Sequence, residues 1–380
     1  MQLLGIIAVV AALVAPVTPA PGCAGQQAPP PPFAREELVA AVEPLPWPAE
    51  PVGGPQLGTC GEAGTTGAPQ VGAPSWVLAD MDSGAVLAAR APHARHRPAS
   101  TLKVLTAIVA VRYLDPDAVV DGTAEDQQIE GSKAGIGPGG HYTVRQLLAG
   151  LLLNSGNDTA EALARAQGGD ALTRARMAAV AGELGALDTL PASVSGLDGP
   201  GMSTSAYDLA LLFRVAMREP LFASTIATRS VTFPGYGDRP GFVVSNTSHL
   251  LGQYPGALGD KTGFTDAARH TIVAAAERNG RRLVVALVRG EQHPVPMWKQ
   301  AAALLDWGFA QPAGAEPVGI LVDRTPVVSS PMTNPPAVVP DVTAREPSHA
   351  AAAAPVLPIG LAVAAGATAV LLTLRRRSRR

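Results

Sequence analysis

Cysteine is scarce in this sequence and charge is thin. The chain of 380 residues has two cysteines, Cys23 and Cys60, and neither sits in a Cys-x-x-Cys pair. That spacing excludes a thiolate zinc site. Both cysteines precede the predicted domain, so its core is not built around a disulfide; an exported setting would permit a bridge between them but nothing in the sequence requires it. Charged residues make up 16% of the chain and the net charge is −2, with no basic run before Arg375-Arg376-Arg377-Ser378-Arg379-Arg380. This balance excludes a nucleic-acid-binding surface. There is no internal repeat. His93-Ala94-Arg95-His96 holds two nearby histidines but lacks a carboxylate–histidine helix pattern, so no metal is expected, and no cofactor.

What is present is apolar. Hydrophobic residues make up 47%, enough for a sizeable core, and the 36 prolines cluster towards the two ends. A short apolar run over residues 3–17, followed by Val17-Thr18-Pro19-Ala20, reads as a secretory signal ending near residue 22, although no basic residue precedes it. Ala20-Pro21-Gly22-Cys23 faintly resembles a lipoprotein cleavage box without its leucine. Residues 23–69 read as a Pro/Gly-rich linker with one short helix over 35–42, and residues 313–354 as a Pro/Ala-rich stalk. The globular part is expected between them, over 70–312. The uncharged run 355–374 has the length of a bilayer span, and the basic tail 375–380 follows at once. Basic residues stay on the cytoplasmic side, so the expectation is a single-pass membrane protein with its domain outside.

Inside the domain, residues 76–81 and 85–89 read as strands turned at Asp82-Ser83-Gly84, and 271–277 and 282–288 as strands turned at Asn279-Gly280. Helices are expected over 144–153 (capped by Thr143), 158–165, 173–184, 205–217 and 297–309, with a further apolar helix starting at Pro98-Ala99-Ser100. Strands at both sequence ends with helices between give an α+β fold: one antiparallel sheet built from N- and C-terminal strands, packed against a helical region.

Three short patterns carry chemistry. Ser100 and Lys103 stand three apart in an otherwise apolar helix, so they share a face; a lysine buried there is costly unless paired or neutral. Ser155-Gly156-Asn157 falls in the break between two helices. Lys261-Thr262-Gly263 lies just before a strand. Each alone has a bland reading: a helix start, a turn, a polar strand end. Together, in this order and at these wide spacings, Ser-x-x-Lys, Ser-x-Asn and Lys-Thr-Gly form the motif set of penicillin-binding proteins and active-site serine β-lactamases. The chain resembles the D-alanyl-D-alanine carboxypeptidases, the low-molecular-mass penicillin-binding proteins. The likeness extends to the run from Gly135 through Val144, to Leu151-Leu152-Leu153-Asn154-Ser155-Gly156-Asn157-Asp158, and to Gly196-Leu197-Asp198-Gly199-Pro200-Gly201.

That resemblance implies a β-lactamase/transpeptidase-like fold and acyl transfer on peptidoglycan stem peptides, with β-lactam antibiotics as covalent inhibitors. It implies Ser100 as nucleophile, Lys103 as its base, Ser155 as proton relay and Asn157 as a holder of the substrate amide. Lys261 and Thr262 would bind the terminal carboxylate, Gly263 would allow close approach, and the backbone N–H groups of Ser100 and Phe264 would form the oxyanion hole. Action on cross-linked stems would use the same residues. No Glu-x-x-Leu-Asn segment lies between Asn157 and Lys261, which disfavours a class A β-lactamase. One departure stands out: the family usually has glycine where this chain has Arg269, which would either disturb the strand turn or reach towards an anionic substrate.

Overall fold

In the computed structural model, which describes residues 28–29, 42–64 and 66–326, strands from the two ends of the sequence meet in one antiparallel sheet. From the N-terminal side come β1 (Glu62–Gly64), β2 (Ser75–Asp80) and β3 (Ala85–Arg90); from the C-terminal side come β4 (Ala257–Thr265), β5 (Arg269–Arg278), β6 (Arg281–Gly290) and β7 (Gly319–Ile320). The order across the sheet is β1-β3-β2-β6-β5-β4, with β7 also paired to β3. Local chemistry fixes the turns. Asp80 closes the β2–β3 turn, its Oδ1 accepting from the backbone of Asp82 and Ser83 and from the Ser83 hydroxyl. Asn279 and Gly280 both take positive φ, 53° and 76°, the type I′ geometry that matches strand twist.

The helices are α1 (Lys103–Tyr113), α2 (Val144–Leu153), α3 (Asn157–Ala166), α4 (Asp170–Leu184), α5 (Ala206–Ala216) and α6 (Met297–Ala310), with shorter turns between them. Thr143 opens α2 through a capping box with Gln146, and α4 ends at Gly185 in the left-handed region. The central strands are buried on both faces. Val77, Ala79, Val273, Ala275, Val284 and Ala286 join the core that holds α1, α2 and α5. Leu78, Ile272, Ala274, Leu283 and Val285 pack on the α6 side. Burial on both faces explains why β5 and β6 read as continuous apolar runs rather than as alternation.

The packed body is longer than the expected 70–312. Residues 42–64 are seated on it rather than extended as a linker: Leu57 is fully buried and β1 pairs with β3. Buried Arg95 stacks on Trp47 and donates to the carbonyls of Leu45 and Pro46. At the other end, β7 pairs with β3, and buried Arg214 donates to Leu321 O and to Asp323. Residues 313–326, expected as the start of a stalk, therefore belong to the packed body. Composition misled here because Pro/Gly-rich chain can lie in a groove when its carbonyls meet buried guanidinium groups. The expected signal, residues 35–41 of the expected short helix, Cys23, the 355–374 span and the basic tail all lie outside the described residues, and Val42 is not helical. Cys60 is disulfide-bonded. Among the described residues no helix is long and apolar enough to cross a membrane.

Candidate active site

The site forms where the start of α1, the α2–α3 break and the edge strand β4 converge. Ser100 does not cap a helix as expected. It lies in a 3-10 turn, Ala99–Leu102, and α1 begins only at Lys103. Two clasps hold this turn: the hydroxyls of Thr101 and Thr271 both donate to Pro98 O, at 2.6 and 2.8 Å. Ala99 is forced to a φ of 47°, a local strain of the kind that accumulates at functional sites. Released from capping, Ser100 Oγ faces the Lys103 amine.

Lys103 is fully buried, and its Nζ has three neighbours: Ser100 Oγ at 2.9 Å, Asn157 Oδ1 at 2.7 Å and Ser195 O at 2.6 Å. Asn157 is oriented by its own amide, whose Nδ2 donates to Glu130 O. The Asn157 and Ser195 oxygens can only accept. A neutral amine has two N–H bonds for them and one lone pair left, directed at the Ser100 hydroxyl. Burial pushes the Lys103 pKa well below the usual lysine range, and the Lys261 charge pushes it further. Both effects favour the free-base form of the lysine in the apolar helix.

Lys261, on β4, donates to Ser155 Oγ at 3.0 Å and to Thr262 O at 2.8 Å. Burial lowers its pKa to about 8, with Asp260 opposing the shift. Ser155 sits at a φ of 65° in the helix break, so its side chain is held by backbone that serine rarely adopts. Asp158 anchors that break, accepting from the backbone N–H of Ala134, Gly135 and Ile136. Gly263 has no room for a side chain: a Cβ there would lie 2.5 Å from Ser100 N and 2.7 Å from Thr271 Oγ1. The edge strand therefore runs hard against the amide of the nucleophile turn. An open cleft of about 480 Å³ follows this edge, lined by Ser100, Ser155, Thr262, Gly263 and Phe264, and further out by His270 and Trp298.

All eight residues singled out in the sequence meet here. Lys261-Thr262-Gly263 lies within β4 rather than ahead of a strand, because the strand begins at Ala257. Sequence reasoning missed Thr271, the carbonyls of Ser195 and Glu130, and the Asp158 anchor; a carbonyl contact leaves no mark on the residue that supplies it. Arg269 leaves the turn intact, since β4 and β5 remain paired through Thr265 and Arg269. It points to Glu291 rather than into the cleft. His93, Asp188 and Asp208 bring ligand-type atoms within 4.8 Å of one another; Asp208 Oδ2 accepts from Asp188 N and Thr189 Oγ1, while its buried Oδ1 has no hydrogen-bond partner. His93 contacts Asp188 and Val52 O, and Arg95 donates to Asp188. This is a charge cluster that holds the N-terminal segment.

A serine beside a buried lysine of lowered basicity, with a second lysine on the adjoining edge strand, defines an active-serine acyl-transfer site. The chain belongs to the D-alanyl-D-alanine carboxypeptidase family, whose model matches residues 62–292. D-alanyl-D-alanine carboxypeptidase DacB2 of Mycobacterium tuberculosis is 48% identical over 252 residues, 65% of this chain and 86% of that protein. DacD of Salmonella typhimurium is 35% identical, and the match spans 63% of its length. A crystal structure of D-alanyl-D-alanine carboxypeptidase from M. tuberculosis matches with a TM-score of 0.65 at 47% identity, over 68% of this chain and 99% of that one. The Streptomyces K15 DD-transpeptidase matches at 0.62 and 28% identity, over 65% of this chain and 100% of that one.

Proposed function

We propose that this protein is a serine-type D-alanyl-D-alanine carboxypeptidase that trims the terminal D-alanine from peptidoglycan stem pentapeptides. The observation that carries the proposal is the Lys103 amine, fully buried and 2.9 Å from Ser100 Oγ. Lys103 takes the proton as Ser100 Oγ bonds to the penultimate D-alanine carbonyl carbon. The oxyanion is met by the backbone N–H groups of Ser100 and Phe264, each such donor being worth about 3 kcal/mol of barrier. The peptide C–N bond then breaks as the proton taken up by Lys103 is relayed, by way of Lys261 and Ser155, to the departing amine, which leaves Lys103 a free base again and Lys261 charged. Lys261 and Thr262 hold the terminal carboxylate, and Asn157 positions both Lys103 and the substrate amide. Water, deprotonated by the same base, cleaves the ester and restores Ser100. A β-lactam would acylate Ser100 in the same way, but its amine stays tethered and blocks the water step.

We also infer that the basic-flanked apolar run over 355–374 anchors the chain in the cell membrane with the catalytic body outside. The sequence pattern supports this, and membrane fractionation with and without the run tests it. For the activity, the test is intact-protein mass after exposure to benzylpenicillin, beside Ser100→Ala, with D-alanine release assayed from a pentapeptide ending in D-Ala-D-Ala. An adduct lost in the variant together with D-alanine release is expected. An adduct without release would move the substrate to cross-linked stems, and no adduct would refute the acyl-enzyme.

A further inference from the structure

Arg269 is placed where the backbone favours glycine, at a φ of 57°. A side chain kept in such a conformation calls for a contact that offsets the strain. Its Nε and NH2 donate to the two carboxylate oxygens of Glu291, both at 2.9 Å. The pair is bidentate, the geometry in which a guanidinium is most firmly oriented. It also spans elements: Arg269 opens β5, and Glu291 follows β6. So fixed, the guanidinium lies over the Phe264 ring at 5.5 Å, and the His270 ring contacts Phe264 at 4.5 Å between centroids. Phe264 is 48% exposed yet flanked by both groups, and both Phe264 and His270 line the cleft.

The position of that ring along β4 gives it a side of the substrate. Gly263 abuts the Ser100 amide, Lys261 and Thr262 precede it, and Phe264 follows. With the terminal carboxylate at Lys261 and Thr262, the part of the peptide on the acyl side of the scissile bond runs past Phe264. We propose that Arg269 and Glu291 form a positioning pair that fixes the Phe264 ring as the wall of the acyl-side subsite, so that this pair sets how tightly the stem, or the side chain of a penicillin, is held. This rests on the acyl-transfer reading above. The bland alternative is an exposed ion pair with no effect, since many such pairs contribute little.

The test compares Arg269→Gly, Glu291→Gln, the double variant, and Arg269→Gly on a Phe264→Ala background. Acylation of the full chain is followed with benzylpenicillin and with 6-aminopenicillanic acid, which lacks the acyl side chain. The Arg269→Gly change suits the backbone, so folding is spared. Each single variant is expected to slow benzylpenicillin acylation about threefold to fivefold through weaker binding, and to leave 6-aminopenicillanic acid unaffected. The double variant is expected to match the singles, and Arg269→Gly is expected to be silent once the ring is gone. Equal losses with both penicillins, additive losses in the double variant, or no loss at all would overturn the proposal. Failure of the parent protein to acylate with either compound would instead overturn the acyl-transfer reading itself.

Discussion

The two active-site lysines need opposite protonation states, and that requirement shapes a pH profile. Lys103 must be a free amine to accept the Ser100 proton; Lys261 must stay charged to hold a carboxylate. Burial lowers both, and the Lys261 charge drives Lys103 further down. The kcat/KM for D-alanine release should therefore rise with pH as Lys103 is freed, then fall near the Lys261 value of about 8. The drop of Lys261 from 10.5 to about 8 amounts to about 3 kcal/mol against its charged form in the empty site. A bound substrate carboxylate opposes that penalty. The alkaline limb of kcat, which reports the complex, should thus lie above that of kcat/KM, which reports the free enzyme. The perturbation is Lys261→Arg. A guanidinium stays charged throughout the range, so the limb near 8 should vanish while the acid limb stays low, because a positive charge still faces Lys103. The assay is D-alanine release across the range in which both lysines titrate, with benzylpenicillin acylation alongside. Persistence of the limb near 8 in Lys261→Arg, or an acid limb in the ordinary lysine range, would refute the reasoning.

Two further outcomes follow from the packing. Gly263→Ala places a Cβ against Ser100 N and Thr271 Oγ1, so acylation should fall about a hundredfold through misplacement of the nucleophile turn; an unchanged rate would show that the strand can step aside at no cost. Asp208 is fully buried, and burial followed by repulsion from Asp188 raises its carboxyl to about 8. A carboxyl with a raised folded pKa binds its proton more tightly folded than unfolded, so its contribution falls as pH rises from about 4 towards that value, by at most about 1.4 kcal/mol per pH unit. His93, raised by Asp188 against the opposing effect of burial, adds a loss of the same sign. Asp208→Asn keeps an oxygen for Asp188 N and Thr189 Oγ1 but cannot titrate. Its melting temperature should depend less on pH over this span, and parallel curves for variant and parent would contradict the assignment.

Much of this site was legible in the sequence because each motif couples a local rule to a chemical one. Ser100 and Lys103 are three apart on one turn, Thr143 announces α2, and Asn279-Gly280 turns β5 into β6. What escaped was of two kinds. Thr271 and the Ser195 carbonyl act across long sequence separations, through groups that any residue type can offer. The edges of the body escaped because β1 and β7 are two or three residues long, embedded in Pro/Gly-rich chain, and held by Arg95 and Arg214 rather than by an apolar pattern. Arg269 was recognised as a departure, but its partner Glu291 carries no motif.

The sheet has two edges that meet different fates. At β3 the outer side is covered in two pieces, β1 beside Ala88–Arg90 and β7 beside Ala85 and Val86. At β4 no further strand pairs among the described residues, and the cleft runs beside it. Four strand spacings of about 4.8 Å, roughly 19 Å, separate the two. An extended chain approaching Ser100 therefore comes along the β4 side, where no flanking strand competes for it.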